Sequence, residues 1–443
     1  MRLSQKITGF LHNGVSTLWY FAVMAVKENF RNYVGRAGRT EGALSDELAL
    51  LANGPSLADE LPRLLAGARA GCDFLAIRGG TGASVANVSK VYFSSNMFLN
   101  HAATNPVFSF LTTFGDHTDY ASEYPFFDET TRTAKFDALR GNGPASGPSE
   151  RVLTKTRPNV VVVILESFAR TIMDADVDGR PVMPNMRRLR DEGIWFENFF
   201  ANSFRTDRGE VAVLSGFPAQ TRMSIMKLPA KNRSLPSLAR SLAREGYATS
   251  FVYGGDLNFT NQASYMYATG WQQLVWQRDL RFDTPPSDWG YDDAVMCDWF
   301  ADRVIAQSGT GEPFLAGLLT LSSHRPFDVP FSRFDDRELN AFAFADDCVG
   351  RMIDKLKASP AWDDLLVVLV ADHGYPWPRS LSYNEPLRHR IPMIWTGGAV
   401  AGPRVVEEYA SQIDICATIL GQLEVAHDDF DYSKDIFAPT PPR

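Results

Sequence analysis

Cysteine is scarce in this chain. There are four in 443 residues (Cys72, Cys297, Cys348 and Cys416), and no two form a CxxC pair. A zinc finger or a disulfide-dense scaffold is thereby excluded, while the redox compartment stays open. An excess of basic charge is also lacking: 44 Lys and Arg face 52 Asp and Glu, a formal net charge of −8. No global positive field attracts nucleic acid, and none is expected as a partner. Nor is there a long apolar run. The most hydrophobic stretch near the start, Gly14–Val26, falls short of the ~20 residues a spanning helix needs. Arg2 and Lys6 precede it as in a signal peptide, but Lys27 and Glu28 come directly after it and no small-residue cleavage site is clear. An amphipathic or buried helix is the expectation there. What is present is an ordinary globular balance, with 45% hydrophobic, 22% charged and 12% aromatic residues.

The two parts of the chain have different grammars. In the first, Leu48–Gly54, a helical stretch to Ala70 and Cys72–Ile77 suggest strand, turn, helix and strand. No GxGxxG comes after a strand, so a plain turn explains Gly54-Pro55-Ser56. Gly141–Ser149 has the composition of a linker. Beyond it, apolar strands alternate with helices. Strands are expected at Asn159–Leu165, Ile194–Phe200, Tyr247–Tyr253, Phe314–Leu321 and Leu365–Val370. Helices are expected at Pro184–Glu192, Pro236–Glu245 and Leu339–Leu356. The β-branched run NVVVVIL reads as a strand buried on both faces. The fold class is therefore α/β, a largely parallel sheet flanked by helices on both faces. We divide the chain into residues 1–87 of unclear fold, 88–156 as lead-in helices and linker, and 157–443 as the catalytic region.

In such sheets, ligands bind beyond the carboxyl ends of the strands. The residues immediately after each strand are therefore informative. The five expected strands lead into Glu166; the loop Asn202–Glu210 with Thr206; Gly254-Gly255-Asp256; Ser322-Ser323-His324-Arg325; and Asp372-His373-Gly374. Carboxylates, an imidazole and a hydroxyl at one edge can make a four-ligand site for a divalent cation. A cation beside a threonine hydroxyl lowers its pKa, and a helix opening at Thr206 would favour an anionic group. A phosphate ester fits that arrangement. Each residue alone has a plainer explanation: Thr206 as an N-cap, Glu166 as a surface residue, His324 as a loop histidine. The remaining histidines (His12, His101, His117, His389 and His427) lack such context.

The segments Asn159–Phe168, Met183–Thr206, Thr320–Phe327 and Val368–Gly374, with SQIDICATIL (Ser411–Leu420), resemble the lipoteichoic acid synthase group. That group lies in the sulfatase branch of the alkaline phosphatase superfamily. The resemblance covers roughly residues 157–438. It implies that Glu166, Thr206, Asp372 and His373 hold one cation, manganese or magnesium with zinc as the alternative. It further implies that Thr206 is a nucleophile esterified by phosphorus, and that His324 contacts the substrate phosphate, with Asp256 and Arg325 as further substrate-binding candidates. The Cys-x-Pro-x-Arg signature of true sulfatases is missing around Thr206, which disfavours sulfate esters. The aromatic and arginine that read phosphoglycerol in such enzymes are not matched in Gly254–Gln262, where Asp256, Asn258 and Asn261 remain. The expected activity is transfer of phosphoglycerol or phosphoethanolamine from a phospholipid donor to a glycan or lipid acceptor. The expected place is a membrane surface, on the extracytoplasmic face of the cytoplasmic membrane. A phosphate- or sulfate-ester hydrolase and an inactive binding protein are the alternatives.

Overall fold

The computed structural model describes residues 86–106, 109–110, 122, 125–140, 148–221 and 223–439. All of these except Ala86 belong to one unit, Asn87–Arg443. The stretches Gly14–Val26 and Leu48–Ile77 lie outside the described residues, as does most of Gly141–Ser149.

Eight strands build the main sheet: β1 (Asn159–Leu165), β2 (Ile194–Phe196), β3 (Ala248–Tyr253), β4 (Gln273–Trp276), β5 (Phe314–Leu319), β6 (Leu365–Ala371), β7 (Met393–Thr396) and β8 (Arg404–Val406). Their order is β8-β2-β7-β6-β1-β5-β3-β4. Every pairing is parallel except those of β7 with β6 and β2. β1 lies at the centre between β5 and β6. Val160 through Leu165 and Leu365 through Ala371 are all buried, so both faces of these strands are covered, as an unbroken β-branched run requires.

The expected strand Ile194–Phe200 is interrupted. β2 ends at Phe196, and Phe199–Phe200 pairs instead with Ala410–Ser411 in a separate two-stranded sheet. Glu197 and Asn198 lie between the two pieces, and Glu197 N–H still donates to Val406 O of β8 at 2.9 Å. The Glu197 carboxylate accepts from Trp195 Nε1 and from Arg390 Nη2, each at 2.6 Å.

Seven helices bear on the site: α1 (Pro184–Glu192), α2 (Thr206–Ser215), α3 (Leu238–Arg244), α4 (Asp293–Ser308), α5 (Arg337–Lys357), α6 (Pro386–His389) and α7 (Ile415–Gln422). α3 starts where Ser237 caps it and ends before Gly246, whose φ of +83° is the left-handed turn expected at that position. α1 has Pro184 in its first turn and no side-chain cap of its own. Asp346 of α5 takes that role from a distance: its carboxylate accepts from the backbone N–H groups of Asn185 (3.0 Å) and Met186 (2.7 Å).

Asp346→Ala should therefore destabilise the fold by about 2–4 kcal/mol, because two donors at a buried helix end lose their acceptor. Urea unfolding measures it. A change below about 0.5 kcal/mol would show that water replaces the carboxylate.

Candidate active site

Sheet register makes the first half of the site. β1 and β6 run parallel with Leu165 opposite Ala371. The next residues, Glu166 and Asp372, thus leave the sheet at the same level on strands about 4.8 Å apart. Both carboxylates are buried, 4% and 0% exposed. His373 comes next, with Nε2 at 3.4 Å from Asp372 Oδ2 and 3.8 Å from Glu166 Oε1. One ligand atom from each of the three lies within 4.8 Å of the others.

The second half comes from α2. Arg205, in extended conformation, occupies the cap position without a side-chain bond, and Thr206 is the first helical residue. Thr206 is therefore no N-cap. Its Oγ1 donates to Glu166 Oε2 at 3.2 Å, and the first-turn N–H groups of α2 face outward from the helix end, where an anion is favoured. Gly209 sets how close α2 can come: a Cβ there would collide with the backbone carbonyl of Asp372.

The electrostatics are unfavourable as they stand. Burial pushes the Glu166 carboxyl up to about 7, and the charge of Asp372 adds to this. Burial raises Asp372 to about 6 against the pull of the Ser167 N–H. Glu210, one turn into α2, is fully buried with both carboxylate oxygens unpartnered. Burial, then Asp372, Asp207 and Glu166, hold its carboxyl well above the usual range. Burial also pushes the His373 imidazole down, toward its neutral, ligating form. Among the described residues neither Glu166 nor Asp372 has a Lys or Arg partner, and Asp372 Oδ2 has no hydrogen-bond partner. Converging carboxylates without a counter-charge are costly unless a cation joins them. Two carboxylates, an imidazole and a hydroxyl suit a divalent ion, so Glu166, Thr206, Asp372 and His373 could hold one.

Several supporting residues carry no signal in the sequence. Ser167 adopts φ +59°, rare for a residue with a Cβ. That turn lets its N–H donate to Asp372 Oδ1 at 2.6 Å and its Oγ to Glu166 Oε1 at 2.7 Å. Gln412 binds the carbonyls of Ala371 and Asp372, each at 2.7 Å. Asp293, at the start of α4, accepts from the N–H groups of Leu321 (2.8 Å) and Ser322 (2.9 Å), and so fixes the loop that carries His324.

His324 stands outside the three-residue cluster. Its ring lies 4.5 Å from that of Trp289, its Nδ1 is 2.7 Å from the Arg325 carbonyl oxygen, and its charge reaches Glu166, whose carboxyl it draws down. Arg325 is exposed beside it. Asp256 also lies outside the cluster. It accepts from Asn258 N and Nδ2 (2.9 and 2.8 Å) and lines a separate cavity of about 610 Å³ with Trp276, Arg278, Arg281 and Tyr291.

Both site carboxyls have folded-state pKa values above their ordinary ones of 4.5 and 3.8. Without a cation, the stability tied to their protonation is complete below those values and lost as pH rises through about 6 and about 7. Metal-stripped protein should thus melt at lower temperature as pH rises across that window, and Asp372→Asn should flatten the fall. Added Mn2+ should restore stability far more above pH 7 than near pH 5, since its ligands must be deprotonated. Calorimetry of both proteins across the window checks this; identical slopes would remove Asp372 from the cluster.

The family model described as Sulfatase matches residues 158–425. Phosphoglycerol transferase I of Xanthomonas axonopodis pv. citri (strain 306) is 26% identical over 318 residues, which are 65% of this chain and 43% of that protein. Lipoteichoic acid synthase 2 of Bacillus subtilis (strain 168) is 24% identical over 305 residues, 61% and 46% respectively. This chain spans less than half the length of either relative. The crystal structure of the lipoteichoic acid synthase LtaP from Listeria monocytogenes superposes with a TM-score of 0.63 at 23% identity, over 69% of this chain and 81% of that one.

Proposed function

Because the chain belongs to the sulfatase family, we propose that it is a metal-dependent transferase moving phosphoglycerol from a phospholipid to a cell-envelope glycan or lipid. The observation that carries this reading is the Thr206 hydroxyl. It stands at the open end of α2, bonded to a buried carboxylate and spared from capping. The names of the relatives favour phosphoglycerol over phosphoethanolamine as the group moved.

Glu166, Thr206, Asp372 and His373 would hold one divalent cation, manganese or magnesium by its oxygen-rich donor set, with zinc as the alternative. That ion supplies positive charge for the phosphoryl oxygens and for the threonine oxygen. The residues of the chain do the rest. Glu166 Oε2 holds the Thr206 hydroxyl in place. The N–H groups at the start of α2 receive a phosphate oxygen. Thr206 Oγ forms a bond to phosphorus while the bond from phosphorus to the diacylglycerol oxygen breaks. The threonine gives up its proton and the departing alcohol gains one. The acceptor oxygen then bonds to phosphorus as the bond from phosphorus to Thr206 Oγ breaks, and the acceptor's proton restores the threonine hydroxyl. His324 stands beside the phosphate as a substrate contact with Arg325 next to it, and Asp256 would receive a more distant part of the substrate in the neighbouring cavity it lines. We assign this chemistry to residues 157–443 and place it on the extracytoplasmic face of the cytoplasmic membrane, where phospholipid donors are at hand. Among the described residues, no helix is long and apolar enough to cross a membrane.

Thr206→Ala should abolish both turnover and the covalent adduct, whereas Thr206→Ser should keep partial activity, because a hydroxyl remains on the first turn of α2. Mass spectrometry of Thr206 peptides after incubation with mixed phospholipids reads the adduct and identifies the donor. Full turnover by Thr206→Ala would replace the covalent path with direct attack by water or acceptor. His324→Ala should retain the metal and lose roughly 10²-fold in turnover, the scale of a lost phosphate or proton contact. Loss of the metal in that variant would place His324 among the ligands instead.

A further inference from the structure

Arg388 is a buried cation with no counter-charge among the described residues. It is 4% exposed, yet Nε and Nη1 have no hydrogen-bond partner. Among the described residues no carboxylate forms an ion pair with it. Its guanidinium lies 4.3 Å from the centre of the Tyr383 ring. An aromatic face offsets part of a cation's desolvation and offers no hydrogen-bond acceptor to the fork.

Its backbone is tied to the candidate active site. A Cβ on Gly374, the residue after His373, would collide with the Arg388 carbonyl oxygen, so the two segments are in direct contact. The next carbonyls along are also held: His389 O by Ala201 N at 2.7 Å and Arg390 O by Arg170 N at 3.1 Å. The ring over the guanidinium leads to the nucleophile. Tyr383 meets Phe204 edge-on at 5.1 Å, and Phe204 lies two residues before Thr206. Tyr383 itself is 61% exposed, so one of the groups packed on the guanidinium is a surface ring. The charge of Arg388 is felt inside the site, where it helps to keep His373 neutral.

We propose that Arg388 is an oxyanion-binding residue, taking the phosphoryl oxygens of the substrate between its Nε and Nη1 donors when the Tyr383 ring moves aside. The ligand class is a phosphate mono- or diester, matched to the planar fork of a guanidinium rather than to a point charge. The inference rests on the proposed transfer only in expecting a phosphoryl group beside Thr206.

The test is calorimetric titration of the full chain, loaded with Mn2+, using inorganic phosphate and separately a short-chain phosphatidylglycerol. Arg388→Gln should weaken both by about tenfold or more, the scale of a lost charge-assisted pair, with Mn2+ still bound. Arg388→Lys should recover only part, since it restores charge without the fork. A folded Gln variant that binds phosphate as wild type does would overturn the assignment. So would a loss confined to the lipid, which would mean that the arginine reads glycerol or acyl chain. Should the variants fail to fold, arginine-labelled wild-type protein decides: the Arg388 Nε–H resonance should move on adding phosphate, and a stationary resonance refutes the contact. Thr206→Ala keeps the two readings separate, because it can lose the adduct while still binding phosphate through Arg388.

Discussion

The adjacency of Glu166 and Asp372 is the constraint on which the rest of this structure depends. Parallel pairing of the two central strands brings two acids out at one level, and the layers over the sheet deny them water. Neither carboxylate can relax away, because each is the residue immediately after a fully buried strand. Much of what surrounds them can be understood as a response to that imposition. His373 is kept neutral, Ser167 is bent into a left-handed turn to donate twice, and the Thr206 hydroxyl is drawn to Glu166. An apolar pair at these positions would pack more cheaply. The cation proposed for this site would offset the cost of retaining them.

Strand register also explains how far the sequence could be read. Asn159–Leu165 was legible to the residue, because a run of β-branched side chains admits few other fates. Leu365–Val370 was legible for the same reason, although the strand extends one residue further, to Ala371. Once the strands were placed, the residues after them were the natural candidates, and Glu166, Thr206, Asp372 and His373 do converge. The break inside Ile194–Phe200 was not legible. It accompanies the pairing of Phe199–Phe200 with Ala410–Ser411, which are distant in sequence.

The residues that brace the site were hidden for a related reason. Ser167, Gln412 and Asp293 act through backbone groups that only the folded chain brings near them. A serine after a glutamate or an aspartate after an N-cap has no distinctive spacing to betray it. Arg388 was harder still, because its interest lies in partners it does not have. Asp256 was read correctly as lying just past a strand, yet β3 lies two strands from β1. Distance along the sheet places it on a neighbouring cavity rather than in the cluster.

The contact between Gly209 and the Asp372 carbonyl has a mechanical meaning. Helix and strand touch there backbone to backbone, with no flexible side chain between them to act as a cushion. Thr206 and the two acids are therefore held as one piece, with no hinge between α2 and the segment that carries Asp372. Diversification within such a scaffold is pushed outward, to segments such as 254–262, 276–291 and 378–388.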